Sequence, residues 1–174
     1  MSPVVYDAGV LVAADRNVRA VWAEHRVRLE AGIVPVVPAP VVAQVSRSPE
    51  QVQLRRLLRG CQVTTLTEQG AHAAGHLLGR SGTRDVVDAV VAHTAAQLDA
   101  DIVTGDSADI GRLLDAAGAT SRIISLNAVC GLLNGPAAGS VPLWPRTQAR
   151  TRCPTARQCR SRSRQRYPAS APPR

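Results

Sequence analysis

Asp7 directly follows the apolar run 4–6, and Asp106 stands two residues beyond the run 102–104. In open α/β sheets, ligands bind beyond the carboxyl ends of parallel strands, at the point where the strand order reverses. If these two strands are neighbours across that reversal, the two carboxylates face each other. Asp85 and Asp88 are three residues apart and so share one face of a helix. A first-turn carboxylate such as Asp85 is accounted for by the free backbone N–H groups and the helix dipole. Asp88 is harder to explain that way, because Ala89, Val90, Val91 and Ala92 follow it and the helix it heads reads as largely buried. Asp109, three residues after Asp106, reads as the cap of the next helix or as a hydrogen-bonding group of the same loop. Carboxylates gathered in a cleft repel one another and partly protonate unless a cation neutralises them. Oxygen-only donors point to magnesium or manganese, ions that activate water and stabilise the charge developing on a phosphodiester.

Positioning these acids requires a parallel sheet, and the apolar pattern provides for one. Short Val- and Ile-rich runs at 4–6, 34–37, 63–66, 102–104 and 123–126 alternate with stretches of helical periodicity at 18–31, 50–59, 68–78, 85–98 and 108–117. That alternation predicts βαβ units and a three-layer α/β/α fold on a five-stranded, mainly parallel sheet. Pro49 is placed to open the second helix, and Gly118 to end the last one. The stretch 79–83 (GRSGT) reads as a flexible break.

The net charge of +8 is unevenly spread. Residues 1–145 carry 12 Arg and all 13 acids, while 146–174 carry 9 Arg and no acid. Residues 1–133 therefore read as one domain. The remainder, 134–174, reads as a linker and an Arg-rich tail too polar to offset chain entropy and so expected to be disordered. Such an arm can bind phosphates by counterion release, although basic composition alone carries no specificity. The chain lacks Phe, which excludes the stacking platforms of single-strand-binding modules. Cys61, Cys130, Cys153 and Cys159 form no metal or redox motif. No stretch reads as a signal peptide or membrane span, so the expectation is a cytoplasmic protein with free thiols.

Three segments in order, Val-Val-Tyr-Asp-Ala-Gly-Val-Leu at the N-terminus, Val-Val-Asp-Ala-Val-Val-Ala on a helix and Ile-Val-Thr-Gly-Asp ending a strand, resemble the PIN domain, specifically the VapC-type toxins of toxin–antitoxin pairs. The resemblance runs from about residue 3 to 126. It implies a metal-dependent endoribonuclease that binds magnesium or manganese through Asp7, Asp88 and Asp106, with Asp109 as an accessory acid. It also implies an RNA substrate, a small VapB-type antitoxin as inhibitor, and a homodimer. PIN nucleases usually carry a Glu on the short helix after the second strand. The matching position here is Gln44, which offers oxygen without charge and would weaken cation binding.

Other chemistries find less support. His72 and His76 lie one helical turn apart, but residue 73 is Ala and no third ligand is evident, so they read as a solvated or packed face. His25 and His93 show no partner in the sequence. Ser81 and Ser107 lack a nucleophile elbow, and a chain without Lys cannot form a P-loop. Arg55, Arg56 and Arg59 read as a solvated helix face or an RNA-backbone contact. Two rivals to the nuclease stand open. One is a PIN fold weakened by Gln44 that binds RNA or protein without turnover. The other is a phosphotransfer protein using Asp7, which lacks the expected second acid because Ala8 and Gly9 follow.

Overall fold

The computed structural model describes residues 2–126. The expected linker and tail, 134–174, lie outside the described residues, as do 127–133. Five short strands, β1 (Val4–Tyr6), β2 (Val36–Pro38), β3 (Gln62–Thr64), β4 (Asp101–Thr104) and β5 (Ile123–Ser125), form a wholly parallel sheet in the order β3-β2-β1-β4-β5. The chain builds outward from β1 through β2 to β3, then returns to the other side of β1 for β4 and β5. The strand order thus reverses between β1 and β4, where Tyr6 lies opposite Val103. Both of these strands are buried along their whole length, as strands covered on two faces must be.

Among the described residues there are seven helices: α1 (Ala8–Asp15), α2 (Arg19–Glu30), α3 (Ala39–Val45), α4 (Val52–Leu58), α5 (Glu68–Ser81), α6 (Val86–Leu98) and α7 (Ser107–Ala117). The sheet carries them in the expected three-layer α/β/α arrangement, with α5 lying on α6 and α7. The buried face of α6 is Ala89, Val90, Val91, Ala92 and Ala95, whose small side chains let the helix settle close to β1 and β4. With Leu11, Leu57, Ile102, Ile110 and Leu113 they form an aliphatic core. Each large apolar side chain buried there contributes about 1.5–3 kcal/mol.

Several boundaries differ from expectation, each for a local reason. Strand β2 begins at Val36 rather than 34, because Pro35 has no N–H for the ladder and Val34 is exposed. Strand β3 spans Gln62–Thr64 rather than 63–66. Helix α4 starts at Val52 rather than at Pro49, because the Gln51 side chain accepts from the Arg47 and Ser48 N–H groups and holds the preceding residues in a turn. Helix α5 runs through the expected break at 79–83 as far as Ser81, and ends where Gly82 takes a left-handed φ of 70°. The periodicity did not indicate α1 at all. Its sequence AGVLVAAD has almost no polar face, since it packs against α2, α3 and α4 at once.

Candidate active site

Three helices, α1, α6 and α7, open at the sheet edge where the strand order reverses, and an aspartate caps each one. Asp7 caps α1, accepting from the Ala8 N–H, and is nearly inaccessible. Its second oxygen accepts the Thr104 hydroxyl at 2.7 Å. That hydroxyl in turn accepts from the Asp106 N–H at 3.0 Å. Asp106 caps α7 through the Ala108 and Asp109 N–H groups. Asp85 caps α6 through the Val87 and Asp88 N–H groups, at 2.8 and 3.2 Å.

Asp88, in the first turn of α6, completes the cluster. Burial pushes its carboxyl up to about 7, and the charges of Asp7, Asp85, Asp106 and Asp109 push the same way. No cation figures among the groups acting on it. Its oxygens accept no hydrogen bond from any other described residue, so Asp88 is half-buried and faces negative charge without compensation.

The structure therefore brings Asp7, Asp88 and Asp106 together, as the β1–β4 adjacency required. Asp109 is close enough to act on Asp88, but it is not the cap of α7; Asp106 is. A residue placed one turn inside a helix has its N–H already directed at the cap, and Asp109 instead pairs with Arg112 one turn further on. Gln44 is exposed on α3, and no hydrogen bond ties it to the acids. Among the described residues, no three His, Cys, Asp or Glu side chains are drawn in closely enough to share an ion as they stand. In charge and donor type, the cluster still fits a hard divalent cation. It is all oxygen, and each added positive charge would relieve the repulsion on Asp88.

Thr104 was missed as a site residue. The signal was present as a short hydroxyl in Val-Thr-Gly-Asp, between a strand end and its acid. His25 does have a partner: its Nδ1 lies 3.3 Å from the Tyr6 hydroxyl, and Trp22 packs edge-on against the ring. The Arg55, Arg56 and Arg59 cluster ends α4, just before β3 begins, and so lies toward the opposite edge of the sheet from the acids. Arg56 stacks over Trp22 at 5.2 Å. His72 and His76 are exposed on α5, as a solvated face should be. No helix among the described residues is long and apolar enough to cross a membrane.

No family model matches the chain, and no curated protein matches it in sequence. Solved structures do match. VapBC2 from Rickettsia felis, bound to a promoter DNA fragment, shares 15% identity over 70% of this chain and 97% of that one, with a TM-score of 0.55. DNA-bound VapBC from Salmonella typhimurium shares 13% identity over 72% and 98%, with a TM-score of 0.54. PAE2754 from Pyrobaculum aerophilum shares 15% over 75% and 88%, with a TM-score of 0.51. At such identities the likeness is one of fold. The chain has the three-layer fold of these structures, the fold that its resemblance to the PIN domain implied.

Proposed function

We propose that this chain is the toxin of a toxin–antitoxin pair, a magnesium- or manganese-dependent endoribonuclease whose acids are Asp7, Asp88 and Asp106. The observation that carries this reading is the convergence of Asp7 just beyond β1, Asp88 on α6 and Asp106 just beyond β4, with no cationic side chain acting on Asp88. The fold shared with VapBC structures supports a small VapB-type antitoxin as partner; a homodimer is the assembly that the PIN resemblance implies. RNA is the proposed substrate.

Bound among these acids, a divalent cation would stabilise the charge of a reacting phosphodiester and acidify a water. The chain's own residues prepare that site. Thr104 holds the Asp7 carboxylate in one orientation and ties it to the Asp106 backbone. The N-termini of α1, α6 and α7 converge on the same edge, where their dipoles favour incoming phosphate oxygens. Arg112, exposed on α7 beside the cluster, offers a guanidinium to the RNA backbone.

The test is cleavage of RNA by the purified chain with magnesium or manganese, with a chelator, and with Asp88→Asn. Cleavage that survives both the chelator and the substitution would refute the reading. The uncharged Gln44 favours one alternative, a module that binds RNA or a partner without turnover. RNA binding with no cleavage at saturating manganese would establish that alternative instead.

A further inference from the structure

Charge divides residues 1–126 in two. Residues 1–66 carry 8 Arg against 5 acids, and residues 67–126 carry 4 Arg against 8 acids, among them Asp85, Asp88, Asp106 and Asp109. The first half gathers its free positive charge on neighbouring helix ends. Arg16 closes α1, Arg19 opens α2, and Arg55, Arg56 and Arg59 stand at the end of α4. All five are exposed, and none makes an ion pair with a described residue, whereas Arg26 and Arg28 of the same half pair with Glu30 and Glu24. Asp15, next to Arg16 in the chain, accepts from the Gln51 side chain and the Leu54 N–H instead. Trp22 joins the parts. It stands three residues from Arg19, on the same strip of α2. Its indole N–H donates to the Ala14 carbonyl of α1 at 3.2 Å, and the Arg56 guanidinium lies over its ring at 5.2 Å.

Local stability accounts for only part of this. The dipole of α4 favours Arg55 and Arg56 in its last turn. It disfavours a cation such as Arg19 at the start of α2, a helix with no acid in its first turn. Arg55 and Arg59, one turn apart, repel each other. Unpaired guanidiniums concentrated against these costs are the electrostatic footprint of a polyanion. The Trp22 ring holds the Arg56 guanidinium without a carboxylate, which leaves its N–H donors available. Asp7 and Arg16 cap the two ends of α1. At 1.5 Å per residue, the basic surface therefore begins about 14 Å from the acids.

We propose that this surface of α1, α2 and α4 binds the phosphate backbone of the RNA strand where it extends beyond the acid cluster, with Arg16, Arg19, Arg55, Arg56 and Arg59 as contacts. The proposal rests on the reading of RNA as the substrate and adds where the rest of the strand lies. Such contacts position a strand and carry no sequence information.

The test is the salt dependence of RNA binding by the full chain in metal-free buffer. Arg55→Gln with Arg59→Gln should make the slope of log affinity against log salt less steep by about 1.4, since each single-strand phosphate contact contributes about 0.7. Arg80→Gln with Arg122→Gln removes the same charge from the other half and should keep the wild-type slope. The 9 Arg of 146–174 are common to all three proteins and cancel from the differences. Equal slopes in the two double variants, or a wild-type slope in the first, would overturn the surface. Wild-type RNA binding with lost binding to polyglutamate would also overturn it and assign the patch to an acidic protein. With manganese present, the first double variant should raise KM for a long RNA about tenfold and leave kcat unchanged. If wild type cleaves no RNA, the nuclease reading fails and the slopes still decide the surface; cleavage with unaltered slopes refutes the surface alone.

Discussion

The buried Thr104 hydroxyl donates to the Asp7 carboxylate at 2.7 Å across 97 positions of sequence, and accepts from the Asp106 N–H at 3.0 Å. One side chain thus ties together two acids that stand just beyond the ends of neighbouring strands. Thr104→Val keeps the volume and removes the hydroxyl, leaving a buried carboxylate oxygen and an N–H without that partner. The expected loss is about 1–3 kcal/mol of stability. Manganese affinity should fall roughly 10–100-fold, as when groups orienting metal ligands are removed. Thr104→Ser should recover most of both. Thermal melts and calorimetric titration measure the two losses, and wild-type manganese affinity in Thr104→Val would mean that the hydroxyl orients nothing.

Asp88 sets a pH dependence. Its carboxyl lies near 7 in the fold against an ordinary value of 3.8, so the folded state binds the proton more tightly than the unfolded state. The stability this contributes is fully present below about pH 4 and is lost as pH rises through 7. Metal-free Asp88→Asn should therefore match or exceed wild-type stability above pH 7 and fall behind it toward pH 4. Reading the difference between the two proteins cancels His25, whose burial lowers its own value and makes the fold less stable on the acid side of 6.5. A pH-independent difference between wild type and variant would contradict the placement of Asp88.

Gln44→Glu adds a charged oxygen at the position where the PIN resemblance expects one. If α3 contributes to the cation site, manganese should bind more tightly and RNA cleavage should rise. Unchanged affinity by titration would place Gln44 outside the site.

Gly9 packs against the other acid-bearing loop. A Cβ there would lie 3.2 Å from the Gly105 backbone nitrogen and 3.2 Å from Leu126 Cδ1. Gly9→Ala gains about 1 kcal/mol in helix propensity, and parting the two loops costs a similar amount. The melting temperature should barely move, whereas activity should drop several-fold because Asp7 and Asp106 flank the contact. Activity equal to wild type would show that the loops give way without moving the acids.

Gly60→Ala should behave differently, because its Cβ would come within 2.6 Å of His25 Nε2 on a ring fixed by Tyr6 and Trp22. Overpacking a closed site costs about 1–3 kcal/mol. Denaturant unfolding should show that loss, with RNA cleavage per folded molecule unchanged.

The parallel-sheet class was legible in the sequence because short β-branched runs between helical stretches are a local pattern. The placement of Asp7, Asp88 and Asp106 at element ends was legible too, since each follows or heads an apolar segment. Helix α1 was not legible: a helix packed on several sides has no polar stripe, and periodicity reads only contrast. Capping depends on where a helix starts to within one residue, which is why the cap of α7 fell to Asp106 rather than Asp109. What only the tertiary structure decided is which elements meet. The β1–β4 pairing carries Thr104 to Asp7, and the packing of α2 carries His25 to Tyr6. Those contacts join residues 19 and 97 positions apart, and they exist only because burying the aliphatic faces of sheet and helices leaves one arrangement in which all are covered.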